Sequence, residues 1–221
     1  MVLNDNGLDI SAILPGGRFL YKTLEMQQHP NIDGAFTKLF TEVKPARILE
    51  IGTANGGLTL YLRHLLDSLG MQDTQIITYD VDTRGLDNFN RVKANGIVSR
   101  VENIFTDDMT AIKENKIADI LGYINAEGVS IILCDGAHKA SEMNIFAHLI
   151  KPGDILMGHD YQDDPKWFYS ASDSEKLENQ AWFWCELGYD SVQTATVANN
   201  IHKFMNEDFS KVAWLCTRKD K

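Results

Sequence analysis

Apolar residues along this chain follow two rhythms that take turns. Short runs rich in Ile, Leu and Val at 46–51, 75–79, 101–105, 129–134 and 154–158 are too brief for helices and read as buried strands. Between them the apolar residues recur every three or four positions. Leu58, Leu62, Leu65, Leu66 and Leu69, ending at Gly70, predict one helix, and further helices are expected over 84–95, 110–125 and 141–150. Strands that alternate with helices and are apolar throughout form a parallel sheet covered on both faces, so the expected class is α/β with a doubly wound, mostly parallel sheet.

The two ends of the chain depart from this rhythm. Residues 1–44 read as a helical preface, with Ile32, Phe36, Leu39 and Phe40 at helical spacing and Pro15-Gly16-Gly17 as a break. Residues 161–180 are polar and aromatic and long for a simple connection, which suggests a lid or substrate loop. A helix around 180–187 then leads to strand-like 191–197 and 212–217. Their short connection predicts an antiparallel C-terminal hairpin that completes a seven-stranded sheet. With no repeat, low-complexity segment or Pro/Ser-rich linker, a single domain over 1–221 is expected.

Composition adds limits on partners. A hydrophobic share of 44% against 24% charged residues suffices for a core without disulfide or metal staples. The formal net charge of −10 sets up a field that repels phosphate backbones and anionic lipid, which favours a small-molecule substrate over nucleic acid or membrane. Cys134, Cys185 and Cys216 are odd in number and far apart, so free buried thiols and a reducing, cytoplasmic setting are expected. The first residues lack a basic segment followed by an apolar one, and no run of 18 apolar residues occurs.

Open parallel sheets bind ligands beyond the carboxyl ends of their strands, so the residues just after each strand carry the chemistry. After the first comes Glu50-Ile51-Gly52-Thr53-Ala54-Asn55-Gly56-Gly57. Here Gly52, Gly56 and Gly57 permit a tight turn and close approach of a ligand, and Glu50 adds a carboxylate. The spacing is neither the G-x-G-x-x-G of dinucleotide folds nor a P-loop. After the second strand, Asp80, with Asp82 nearby, is suited to the two hydroxyls of a ribose. Asp107 and Asp108, after the third, fall where an adenine amino group is met, although Asp also caps helices. Asp135 and His138 follow the fourth strand, and His159 and Asp160 lie at the end of the fifth. Carboxylate and imidazole converging there suit a divalent ion. His64, His148 and His202 read as structural, and His29 is unassigned. Trp167, Phe168, Tyr169, Trp182, Phe183 and Trp184 supply either packing or an aromatic wall for a substrate.

Glu-Ile-Gly-Thr-x-x-Gly-Gly-Leu-Thr at 50–59, Asp-Gly-x-His at 135–138 and Gly-His-Asp-Tyr at 158–161 resemble class I methyltransferases. Among these they look most like the macrocin-type small-molecule O-methyltransferases of the methyltransferase-24 group, over about residues 45–162. The resemblance implies a Rossmann-like fold and S-adenosylmethionine as cofactor. It implies that the turn of Glu50, Gly52, Thr53, Gly56 and Gly57 holds the methionine part, Asp80 the ribose and Asp107 the adenine side, with Asp135 bordering the cofactor. It also implies Mg²⁺ or Mn²⁺ on Asp135, His159 and Asp160, and His138 as general base. His159 departs from the two consecutive acids of the sugar methyltransferases; a nitrogen ligand is less suited to Mg²⁺, so either the site takes a metal such as Mn²⁺, or His159 points elsewhere, or no metal binds. Members of the group often assemble through N-terminal helices, so a homo-oligomer is a further expectation. Two alternatives remain at this point: an NAD-dependent oxidoreductase, which the Gly spacing disfavours, and a non-catalytic nucleoside-binding module.

Overall fold

The computed structural model describes residues 8–14, 18–29, 31–82, 86–178 and 184–221. Two sheets are present among them. The large one has seven strands in the order β6-β5-β4-β7-β8-β10-β9: β4 (Arg47–Ile51), β5 (Gln75–Asp80), β6 (Val98–Val101), β7 (Ser130–Cys134), β8 (Ile155–His159), β9 (Ile201–Lys203) and β10 (Trp214–Lys219). The pairs β4–β5, β4–β7, β5–β6 and β7–β8 are parallel, and β10 runs antiparallel to both β8 and β9. The expected seven-stranded, mostly parallel sheet with an antiparallel C-terminal hairpin is borne out.

Side-chain alternation along the central strands explains why both faces are covered. Ile48 of β4, Ile131 and Leu133 of β7, and Ile155 and Met157 of β8 point into one apolar cluster with Phe36, Phe40, Leu62 and Leu66. Their neighbours Leu49, Ile51, Ile132, Cys134 and Leu156 point into a second cluster with Ile120, Ile124, Met143 and Phe146. A strand with apolar residues at every position needs helices on both sides. On the first side lie α1 (Ile32–Val43), α2 (Gly57–Ser68) and α3 (Leu86–Ala94); on the second lie α4 (Glu114–Ile124) and α5 (Lys139–Ala147). The chain leaves β4 toward β5 and β6, then crosses back to β7 and β8. A crevice opens at the carboxyl ends of β4 and β7.

Four sequence expectations are corrected. The preface is not all helical: β1 (Leu8–Leu14), β2 (Arg18–Tyr21) and β3 (Leu24–Met26) form a separate antiparallel sheet ahead of α1. The turn between β2 and β3 uses Lys22 and Thr23 at φ 46° and 72°, a hairpin without the Asn-Gly or Asp-Gly that would advertise it. The break at Pro15-Gly16-Gly17 lies outside the described residues. The segment 191–197 is no strand. After a 3-10 turn at Tyr189–Ser191 it forms α8 (Gln193–Ala198), because Val192 and Thr196, four apart, bury on one side; the edge strand is β9 instead. The third strand ends at Val101, where 101–105 was expected. Ile104 and Phe105 are buried, but they leave the sheet, with Phe105 making an isolated bridge to Ile112.

Residues 161–178 contain two short helices, α6 (Pro165–Ser170) and α7 (Asp173–Glu178), the first capped by Asp164 accepting from the Trp167 N–H at 2.9 Å. Of the helix expected around 180–187, residues 180–183 lie outside the described residues; 184–187 are not helical and bridge Tyr161 through Leu187. A four-residue α9 (Asn206–Phe209) leads into β10. No helix among the described residues is long and apolar enough to cross a membrane.

Candidate active site

A cleft of about 890 Å³ opens at the carboxyl ends of β4, β5 and β7, within the usual size of small-molecule sites. Its floor is the turn after β4. Gly52 has φ 94°, and a Cβ there would run into the backbone carbonyl of Asp135. Its N–H donates to the Tyr79 carbonyl at 2.8 Å, and the Asp135 N–H donates to the Ile51 carbonyl at 2.9 Å. Three strand ends are thereby locked side by side, with Gly52, Thr53, Ala54, Asn55 and Gly57 facing the cleft. Thr53 and Thr78 share a hydroxyl hydrogen bond of 2.5 Å beneath it. Gly56, at φ 76°, is the N-cap of α2 and lies against Val92, so it shapes the turn from behind.

Glu50 also supports the turn from beneath. It is 1% exposed, and its Oε2 accepts from the Thr59 hydroxyl at 2.6 Å. Burial pushes its carboxyl up to about 7 against the pull of the neighbouring threonine hydroxyls, with Asp135 and Asp80 adding to the rise.

At the end of β5 the Asp80 carboxylate accepts from the Ala54 N–H at 2.7 Å and from the Asp82 N–H at 3.1 Å. A carboxylate has about four acceptor positions, so two remain for ligand hydroxyls. Asp107 lies exposed on the cleft rim near Ile104, Phe105 and Met109, which form an apolar wall. Asp108 is drawn into its own turn, accepting from the Thr106 and Thr110 hydroxyls at 2.7 and 2.8 Å. It therefore acts as a local cap.

The expected meeting of β7 and β8 occurs. Asp135, His159 and Asp160 bring their ligating atoms within 4.8 Å of one another. His159 Nδ1 is hydrogen bonded to Asp135 Oδ1 at 2.9 Å and lies 3.4 Å from Asp160 Oδ1. Burial disfavours a charged His159, yet the carboxylates of Asp135 and Asp160 outweigh it and shift its pKa upward. The other oxygen of Asp135 accepts from Gln28 Nε2 at 3.0 Å, and Gln28 in turn accepts from the indole N–H of Trp214 at 2.8 Å. His138 is the exposed N-cap of α5 and lines the cleft, and its backbone N–H donates to Glu142 Oε1 at 3.2 Å. Glu142, nearly buried under this loop, is raised to about 7 by desolvation despite the N–H groups of His138 and Gly136.

Three participants were not legible as site residues in the sequence: Gln28, Lys139 and Glu186. The Lys139 ammonium donates to the Gly136 carbonyl at 2.9 Å and to Glu186 Oε2 at 2.8 Å, and lies 3.0 Å from Asp160 Oδ2 and 4.0 Å from Asp135 Oδ1. The Asp135–Lys139 spacing of four was the available signal, but such pairs usually lie on solvated helix faces. Gln28 and Glu186 reach the site from elements far away in sequence. Of the aromatic residues, Trp184 lines the cleft, Phe168 is buried and Tyr169 donates to the Cys185 carbonyl at 2.5 Å; Trp182 and Phe183 lie outside the described residues. His64, expected to be structural, is hydrogen bonded to the Tyr21 hydroxyl at 2.7 Å.

A family model described as Rhamnosyl O-methyltransferase/CmcI matches residues 18–180. The chain belongs to that family. It is similar in structure to CmcI with Mg and S-adenosylmethionine, at a TM-score of 0.56 and 18% identity over 92% of this chain and 77% of the other. CmcI with S-adenosylhomocysteine gives 0.56 and 17%, over 92% and 83%. A putative O-methyltransferase from Klebsiella pneumoniae gives 0.51 and 15%, over 87% and 81%. At these identities the likeness is one of fold. No curated protein matches in sequence. Family and fold together bear out the expectation of an S-adenosylmethionine-dependent O-methyltransferase.

Proposed function

We propose that this protein transfers the methyl group of S-adenosylmethionine to a hydroxyl oxygen of a small molecule, of the sugar or phenol class, with His138 as general base. The observation that carries the reading is the convergence of the Gly52 turn, Asp80 and His138 on one cleft at the strand ends. The residues present fit the cofactor. Asp80 keeps acceptor capacity for ribose hydroxyls, Ile104, Phe105 and Met109 offer apolar contact to a purine, and Asp107 stands at that rim. The N–H groups and close packing of the turn, braced by Glu50, Thr53, Gly56 and Gly57, suit the methionine portion. The complexes of CmcI with S-adenosylmethionine and S-adenosylhomocysteine support the same reading.

When bound, the cofactor supplies a methyl group on a sulfonium, ready for in-line displacement. The chain's own task is to hold the acceptor hydroxyl against that methyl and to take its proton. As the oxygen–carbon bond forms and the sulfur–carbon bond breaks, the hydroxyl proton passes to the imidazole of His138, which is exposed in the cleft and borne on the rigid start of α5. Trp184 and the Glu25–Gln28 segment wall the cleft on two sides and limit water. Asp-Gly-x-His at 135–138 supports kinship with the macrocin type within the methyltransferases, and three free, buried cysteines support a reducing, cytoplasmic setting. Metal assistance, implied by the resemblance, meets the Lys139 ammonium 3.0 Å from Asp160 Oδ2, one of the implied ligands.

Incubation with methyl-labelled S-adenosylmethionine across a panel of sugar and phenol hydroxyls tests the reading. His138→Gln is expected to lower kcat by roughly 10²–10⁴-fold while leaving cofactor affinity unchanged. Turnover equal to wild type in that variant removes His138 as the base.

A further inference from the structure

The acid cluster lining the cleft at the ends of β7 and β8 already contains a cation. Lys139 is 7% exposed and sits in the first turn of α5, so it carries a positive charge both out of water and at the positive end of a helix. Each of those placements is unfavourable for a lysine by itself. They are offset by what surrounds the ammonium. An ammonium has three donor hydrogens, and three acceptors lie within reach: the Gly136 carbonyl at 2.9 Å, Glu186 Oε2 at 2.8 Å and Asp160 Oδ2 at 3.0 Å. Asp135 Oδ1 adds a third carboxylate at 4.0 Å.

The same acids are those to which a divalent ion would have to bind. Asp135 has its Oδ1 hydrogen bonded to His159 and its Oδ2 accepting from Gln28, and Asp160 faces Lys139. Glu186 is held beside them by the Trp184 indole N–H at 3.2 Å and by its own backbone N–H, which donates to the Asp160 carbonyl at 2.9 Å. The donor set does not fit a divalent cation while the ammonium stands there, since a second positive charge would meet Lys139 at ion-pair range.

We propose that the ammonium of Lys139 is the resident cation of the Asp135, Asp160 and Glu186 cluster and takes the place of a divalent metal. Lys139 is then a positioning residue: it neutralises the acids and ties the loop after β7, which carries Asp135 and His138, to the loop after β8, which carries Asp160. Its three donors are used, so it makes no contact with the acceptor. The inference deepens the methyl-transfer reading, but its physical content, which cation the acids hold, is measured independently of turnover.

The test is Mn²⁺ uptake read from the free-ion EPR signal, with calorimetric binding of S-adenosylmethionine on the same samples. Wild type is expected to leave the Mn²⁺ signal as in buffer. Lys139→Met, with the ammonium gone and the acids kept, is expected to remove one equivalent of Mn²⁺ from the signal. Stoichiometric Mn²⁺ binding by wild type would overturn the proposal, and that titration stands even if the variant does not fold. A folded Lys139→Met that takes up no Mn²⁺ would overturn it too, because the acids would then form no cation site. Loss of S-adenosylmethionine heat in wild type would instead count against the methyltransferase reading.

Discussion

At the scale of the residue, Glu50 is a buried carboxyl whose Oε2 accepts from the Thr59 hydroxyl at 2.6 Å and whose pKa burial raises from 4.5 to about 7. The sign of its effect on stability follows. Below the unfolded value both states are protonated and burial of the carboxyl costs nothing through ionisation. As pH rises toward 7 the unfolded chain releases its proton first, so the folded state loses stability, and the loss levels off above the folded value. Glu50→Gln abolishes that dependence. Unfolding measured by denaturant at pH 5 and pH 8 should shift in favour of the variant, relative to wild type, by roughly 2–4 kcal/mol across that interval. An unchanged difference between the two proteins at the two pH values would show that Glu50 ionises as easily when folded. At this scale much of the site was legible. Asp80 and His159 close their strands and Asp135, His138 and Asp160 come just after theirs, and the ligand edge of an open sheet is known once strands are assigned. Lys139 was not legible, because a lysine is presumed solvated until its burial is seen.

At the scale of the element, one of the contacts that tie the N-terminal sheet to the rest of the fold runs through Gly57. The first residue of α2 lies so close to the Glu25 carbonyl of β3 that a Cβ would collide with it and with Met26. That approach carries β3 and the following segment, with Gln28, over the cleft to Asp135 and Trp214. Gly57→Ala should push β3 away, destabilise the fold by roughly 1–3 kcal/mol and weaken cofactor binding, measured by thermal unfolding and calorimetry. Wild-type values for both would mean that β3 yields without disturbing the cleft. This sheet was missed in the sequence because β2 and β3 are only four and three residues long and the turn between them uses Lys22 and Thr23. The reverse error befell α8, where β-branched Thr194, Thr196 and Val197 read as strand although burial follows a helical spacing. Both errors lie at the ends of the chain, where the strand–helix alternation that disciplines the centre is absent.

At the scale of the molecule, the central claim is that the switch point of a doubly wound sheet holds S-adenosylmethionine with Asp80 at its ribose. The alternation of buried strands with helices made this architecture readable from the chain, and the order β6-β5-β4-β7-β8-β10-β9 puts the crevice between β4 and β7. An overall charge of −10 suits a cationic sulfonium cofactor better than a polyanion. The most direct test is calorimetric titration of S-adenosylmethionine and S-adenosylhomocysteine into wild type and Asp80→Ala. The account predicts saturable binding to wild type and a loss of about tenfold to a hundredfold in the variant, the worth of one or two charge-assisted hydrogen bonds. Folded wild-type protein that takes up neither ligand would contradict it.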